Sequence, residues 1–221
     1  MQLHKRSQKQ AIVDKATAIL DDYGIADLTM RRLARELDVS PGALYWHFAN
    51  KQQLLGAVAD RILRPACADP GPADWRARIA DVGSHLRDAL LSHTDGAELV
   101  SASFAAGESA ALTQILQRLT DAAARAGVGH PQAGLAARTV VYYVLGFTAE
   151  EQSRLQWDAS GAALAGDIPT GAALAGDIPT GAALAGGQAG PALSADPSSR
   201  FAFGLRLLVD GIAAHSSHAV S

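Results

Sequence analysis

With 221 residues, 48% of them hydrophobic, the chain can bury a sizeable core and sits near the length at which one domain and two are equally open. A single cysteine, Cys67, excludes an intramolecular disulfide and any zinc site built from several cysteines, and points to a reducing cytoplasm. The net charge of −3 is unevenly spread: residues 1–64 hold ten Lys or Arg against seven Asp or Glu, the remainder nine against fifteen, so a basic head precedes an acidic body.

The first residues are polar, and the longest later apolar stretch, around Val140 to Phe147, is too short to span a bilayer. A soluble protein, neither exported nor membrane-bound, is expected. From Ser7 to Tyr23, Ala11, Ile12, Ala16, Ile19 and Leu20 fall on one helical face, and Gly24 ends the helix. A second helix follows from Met30 to Leu37, where Leu33, Ala34 and Leu37 recur at helical steps and leave Arg31, Arg32 and Arg35 outward.

The turn Asp38-Val39-Ser40 then leads into Ser40-Pro41, a capping hydroxyl followed by a proline suited to the first helical position. The helix that starts there carries the small residues Gly42 and Ala43 in its first turn, anchors itself through Leu44 and Phe48, and leaves Tyr45, His47 and Lys51 outward. Two short helices around a tight turn, the second with small residues at its tip and hydrogen-bonding groups beside it, are the geometry that enters a DNA major groove. The same spacing would serve an ordinary helical hairpin with solvated polar residues.

A fourth pattern (Leu54, Leu55, Val58, Ile62) runs from Lys51 to Arg64, where Pro65 and Pro70-Gly71-Pro72 break it. Further helices are expected over Trp75 to His93, Ala97 to Phe104, Glu108 to Ala126, Pro131 to about Trp157 and Ser198 to Ala214, the last with Phe201, Leu205, Leu208, Val209 and Ile212 on one stripe. No segment reads as a strand. The decapeptide Gly-Ala-Ala-Leu-Ala-Gly-Asp-Ile-Pro-Thr begins at Gly161, again at Gly171 and, truncated, at Gly181; Gly and Pro in each period interrupt helix before a stable length is reached. A long mobile loop over 158–196 is expected, either a lid over a ligand entrance or a tolerated insertion.

The run Leu44-Tyr-Trp-His-Phe-Ala-Asn-Lys51 resembles the signature that closes the DNA-binding unit of the TetR family of bacterial repressors, and the likeness covers about Ala11 to Ile62. Farther on, Ala89-Leu-Leu-Ser-His-Thr-Asp-Gly-Ala97, Leu145-Gly-Phe-Thr-Ala-Glu-Glu-Gln152 and Phe201-x-x-Gly204-Leu205 are similar, in the same order, to segments of the tetracycline repressor. The resemblance implies an all-α protein: a three-helix DNA-binding domain with a helix-turn-helix over 1–50, and a helical ligand-binding and dimerisation domain over 51–221. It implies a homodimer whose interface uses helices around Val140 to Leu155 and Phe201 to Ile212, double-stranded operator DNA as partner, and a small-molecule inducer that moves the two heads apart.

Carried over residue by residue, the family's DNA contacts fall on Arg31, Pro41, Gly42, Ala43, Tyr45, His47 and Lys51, with Ser40 capping the helix. Pro41, Gly42 and Ala43 stand where the tetracycline repressor reads bases with Gln-Pro-Thr, so a different operator is implied. Val100, Val82 and Leu86 stand where that repressor holds its magnesium-chelated drug through histidine, asparagine and phenylalanine. Aliphatic side chains cannot ligate Mg²⁺, so a metal-free, largely apolar inducer is implied, with no cofactor.

The pocket implied is lined by His85, Leu86, Val100, Phe104, Leu116, Tyr142 and Phe147, with Glu150 matching a glutamate that reaches the partner's site. Each has a plainer alternative: core packing for the apolar residues, an interface ring for Tyr142, a surface or hydrogen-bonded role for His85. His85 and His93 lie two helical turns apart, too far for one ion to bridge. Enzyme machinery is missing: Gly107-Glu-Ser109-Ala-Ala111 fails the nucleophile-elbow pattern, no phosphate-binding glycine loop follows a strand, and the adjacent Glu150-Glu151 point about 100° apart. The expectation is a ligand-responsive repressor; the alternative is a helical adaptor that has lost specific DNA binding.

Overall fold

Side-chain caps decide where the helices begin. In the computed structural model, which describes residues 2–67, 74–159 and 196–218, α1 runs Gln2–Tyr23, α2 Met30–Glu36, α3 Pro41–Tyr45, α4 Lys51–Leu63, α5 Trp75–Leu91, α6 Gly96–Ala106, α7 Ala110–Arg125, α8 His130–Ala159 and α9 Pro197–His218. Thr29, Ser40, Asn50, Asp74 and Ser109 each accept a hydrogen bond from the amide three residues on, satisfying a donor that the helix itself leaves free. At α4 the cap is reciprocal: Asn50 takes the Gln53 amide at 2.9 Å while Gln53 Oε1 takes the Ala49 amide at 3.0 Å.

Among the described residues there is no strand, and the fold is all-α as expected. Helix ends agree with the sequence reading to within two residues, except at α1, which starts at Gln2 rather than Ser7, and at α9, which runs to His218 rather than Ala214. Residues 160–195, which hold the decapeptide repeat, lie outside the described residues. No helix among the described residues is long and apolar enough to cross a membrane.

One core runs through the chain. Ile12, Ala16, Ile19 and Leu20 of α1, Leu33 of α2, Leu44 of α3 and Phe48 form the head. Leu54, Val58 and Ile62 of α4 join it to Leu86, Leu90, Leu99, Val100, Ile115, Leu119, Val141 and Val144 of the body. Burial of these aliphatic faces is the main drive to fold.

Helix α4 is tied to both sides. Arg61 pairs with Asp14 of α1 at 2.6 Å, while Asp60 Oδ1 accepts the Ser109 hydroxyl at 2.7 Å and the Ala111 amide at 2.8 Å, clamping the start of α7. Gly56 permits this approach: a Cβ there would collide with the Glu108 backbone, its carbonyl carbon at 2.8 Å. Gly134 of α8 faces no atom within 4 Å.

Gly56→Ala is therefore expected to destabilise the protein by about 1–3 kcal/mol, because backbone must move. Gly134→Ala, which adds a methyl to open space in a helix interior, is expected to gain about 0.5–1 kcal/mol. Urea denaturation of the two variants beside the parent checks both signs.

Candidate functional site

The turn between α2 and α3 is built by Asp38, whose φ of 53° lies in the left-handed region. The Val39 amide returns to the Ala34 carbonyl at 3.0 Å, so the chain reverses within three residues. Ser40 Oγ then accepts the Ala43 amide at 3.3 Å, and Leu44 and Phe48, both buried, fix α3 against the head. Arg31, Ser40, Pro41, Gly42 and Tyr45 are exposed, and Ala43, His47 and Lys51 are half-buried.

All eight residues assigned to DNA thus share the α2–α3 edge and its continuation into α4. A Cβ on Gly42 would meet only Ser40 Oγ, at 3.8 Å, so α3 is free of the rest of the protein at that position. His47 is turned partly inward, its Nδ1 buried with no hydrogen-bond partner among the described residues.

Two residues differ from the sequence reading. Arg32, expected outward, is half-buried: its guanidinium lies 3.7 Å from the Tyr23 ring centroid and pairs with Asp27, bracing α2 on the end of α1. Trp46 was not assigned to DNA, yet at 84% exposure it is the most exposed large hydrophobic residue described. The signal was present, since an indole between Tyr45 and His47 has no place on the face that Leu44 and Phe48 bury.

Behind the head, the end of α1 docks on the α5–α6 turn. His93 Nδ1 lies 3.0 Å from Asp21 Oδ1, the Thr94 hydroxyl donates to the Asp21 carbonyl at 2.9 Å, and the Ile25 amide donates to Asp95 Oδ2 at 2.9 Å. Asp95 is itself left-handed, φ 51°, an uncommon state for a residue with a side chain. Its carboxylate caps no helix and reaches instead to the head and to Gln156 of α8, whose Nε2 donates at 2.6 Å.

Gln152, buried one turn earlier on α8, holds the turn from beneath. Its Nε2 donates to the Leu90 and His93 carbonyls at 3.1 and 2.7 Å, and its Oε1 accepts the Ala97 amide at 3.1 Å. The sequence reading missed Gln152; a lone carboxamide in line with Val141, Leu145 and Thr148 on the buried stripe of α8 was the cue.

The residues expected around the inducer do not converge on one cavity. Leu86 and Val100 are fully buried in the core beside Val82, and Leu116 packs half-buried against it. Phe147 stands in an aromatic cluster, 5.9 Å from Tyr143 and 5.4 Å from Phe201. His85 is exposed next to Asp81, at 3.4 Å, and Glu150 is exposed and paired with Arg154 at 2.7 Å. Only Phe104 and Tyr142 meet, their rings 5.5 Å apart, in a recess of about 470 Å³ between α6 and α8.

Beside the aromatic cluster, Arg87 makes a two-pronged, nearly buried pair with Glu151, at 2.9 and 2.6 Å. The Tyr143 hydroxyl donates to the Phe201 carbonyl at 2.8 Å; burial raises its pKa, against the opposing pull of Arg87. Burial likewise raises that of the Cys67 thiol, which points at the Ala111 carbonyl. Among the described residues no cluster of His, Cys, Asp or Glu could hold a metal ion.

Residues 12–58 match the family described as bacterial regulatory proteins, tetR family, and residues 67–216 match the tetracyclin repressor-like C-terminal domain. The chain belongs to the TetR family. It is 30% identical over 214 residues to the class A tetracycline repressor from transposon 1721 of Escherichia coli, covering 93% of this chain and 90% of that one. Among solved structures it is similar to Mycobacterium smegmatis BioQ, 57% identical with a TM-score of 0.77 over 94% of this chain and 98% of that one. It is also similar to a BioQ solved with its natural double-stranded DNA operator, 55% identical with a TM-score of 0.72 over the same shares. As a TetR-family member the chain is a ligand-responsive, DNA-binding transcriptional repressor and not an enzyme.

Within this TetR-family frame, Gln152→Leu leaves the Ala97 amide unpaired and takes one of two donors from each of the Leu90 and His93 carbonyls, which keep the His93 and Gly96 amides, at an expected cost of about 1–3 kcal/mol. Hydrogen exchange at the Ala97 and Ile25 amides is expected to speed up more than at Leu119, in the middle of α7, as read residue by residue by NMR.

Proposed function

We propose that the protein acts as a homodimer that sets α3 of each protomer into successive major grooves of an approximately palindromic operator and lets go when a small, metal-free and largely apolar molecule enters the body. The observation that carries this reading is the capped, outward edge of α3, free of the rest of the protein at Gly42 and tied through α1 and α4 to a separate helical body. The operator bound by the similar BioQ supports the choice of double-stranded DNA. Such an operator places the regulator in the cytoplasm.

Arg31, Ser40, Pro41, Gly42, Ala43, Tyr45, His47 and Lys51 face the DNA in this reading, and Trp46 joins them. Tyr45, His47 and Lys51 supply hydroxyl, imidazole and ammonium donors to phosphates, while the small tip lets backbone approach base edges. Recognition helices of such dimers sit roughly 34–36 Å apart, one turn of the duplex.

Dimerisation is supported by the outer faces of α8 and α9. Leu135 on α8 and Phe203 and Leu207 on α9 are all more than half exposed, and Gly211 beside them faces open space. Apolar side chains with small residues between them are what close helix packing uses. A groove of about 420 Å³ between Leu135, Val140, Leu208 and Ile212 lies on the same side.

Inside the body, aliphatic Val82, Leu86 and Val100 offer no ligand to a hard cation, which favours an inducer bound without metal. Release of DNA by that inducer requires, by reciprocity, that DNA weaken the inducer equally, with a coupling of about 1–3 kcal/mol.

Fluorescence anisotropy with duplex DNA from the region beside the gene tests the reading. Saturable binding that survives unrelated competitor and weakens steeply as salt is raised is expected. Tyr45→Ala is expected to weaken it by about tenfold or more while circular dichroism and sedimentation stay those of the parent dimer. Affinity unchanged by that substitution would overturn the placement of α3, and binding no tighter than to competitor, for both this DNA and duplexes selected from random sequence, would overturn operator recognition.

A further inference from the structure

Arg138 of α8 is exposed to solvent. Its guanidinium lies over the Phe104 ring, 5.3 Å from the centroid, and it makes no ion pair among the described residues. Contact with the aromatic face holds the fork at the wall of the α6–α8 recess without using its N–H donors. The rest of that wall is Ser101, Phe104, Ala105, Tyr142, Leu145 and Gly146, so one cationic fork and one hydroxyl residue stand around an aromatic and aliphatic floor. A volume of about 470 Å³ suits a molecule of two fused rings or a medium alkyl chain.

The seam behind the recess holds two hydroxyls unpaired among the described residues. Ala97 meets Gln152 at one end of the α6–α8 contact and Phe104 meets Tyr142 at the other, which sets the helices antiparallel. Between those ends lie Ser103, next to Phe104, and Thr148, one turn along α8 from Leu145. Both are at least 99% buried, and both hydroxyls lack a hydrogen-bond partner among the described residues. Buried hydroxyls are ordinarily paired, and these two lie behind the recess without lining it.

We infer that the α6–α8 recess is the receptor for an apolar carboxylic acid, with Arg138 reading the carboxylate and the Phe104 and Tyr142 rings holding the apolar part. This deepens the effector reading above and rests on it. A carboxylate matches the guanidinium fork in a two-pronged hydrogen-bonded pair that a neutral amide cannot reproduce, so the site selects by charge as well as shape. No metal is needed, in keeping with the aliphatic interior. Arg138 lies outside the set of residues that the resemblance to the tetracycline repressor supplies.

The test is calorimetric titration of the purified full chain with 2-naphthoate and with its neutral counterpart 2-naphthamide. Naphthoate is expected to bind at least tenfold tighter. Arg138→Gln is expected to bring naphthoate down to the affinity of the amide while the amide is unchanged, and Arg138→Lys to restore part of the difference, which separates charge reading from a folding defect. Ala105→Trp, which fills the recess from α6, is expected to remove both ligands. Equal affinities for acid and amide in the parent, no binding of either at millimolar concentration, naphthoate binding untouched by Arg138→Gln, or binding that survives Ala105→Trp would each overturn the inference. Operator release is read separately by anisotropy: acid binding that depends on Arg138 but leaves DNA affinity unchanged would keep the receptor and remove only its role as effector site.

Discussion

A single buried carboxamide, that of Gln152, holds the place where head and body meet. It pairs the Ala97 amide of α6, which burial would otherwise leave without a partner, and adds a second donor to the Leu90 and His93 carbonyls. The turn so fixed is the one on which the end of α1 rests through Asp21 and Ile25. Polar contacts thus connect α8 to α1 through that turn, alongside the shared apolar core. Helix α4 gives a second, stiffer connection through Asp60 and Gly56, so the head is held at two points.

The fold was legible because each helix start carries its own chemistry. Ser40-Pro41, the Asn50 cap and the aliphatic stripes of α4, α8 and α9 are local signals, and local signals survive the passage from sequence to structure. The exposed edge of α3 was legible for the same reason, since it is a short continuous stretch. What stayed hidden depends on distant partners. Arg32 turns inward because Tyr23 and Asp27 wait at the end of α1, and no spacing within α2 reveals that. The eight residues taken as inducer contacts scatter because a periodic stripe says which face is buried and not where packing leaves space. Leu86 and Val100 fill that face, whereas Phe104 and Tyr142 come together only through the register of α6 on α8.

The body shows how one helical frame can serve different ligands. With Val82, Leu86 and Val100 packed solid, the interior has neither oxygen nor nitrogen donors in that layer, and the polar groups left over lie along the α6–α8 seam. Close-packed cores tolerate a change of side-chain chemistry when volume is kept, so a family can move its polar spots from helix to helix without altering the path of the backbone. Arg87 and Glu151, by contrast, satisfy each other, and removing either would strand a nearly buried charge.

The open tip of α3 has a consequence for how such a regulator can change over generations. A side chain added at Gly42 meets almost nothing of the protein itself, so substitutions there leave folding nearly untouched and, if α3 enters the groove as proposed, alter the surface offered to base pairs. Most positions that touch a ligand are also packed against the scaffold, and altering them trades one property against the other. At Gly42 the two are uncoupled. Target preference can therefore drift along neutral steps, and duplicated copies of such a gene could part company in the sites they read while keeping one common body.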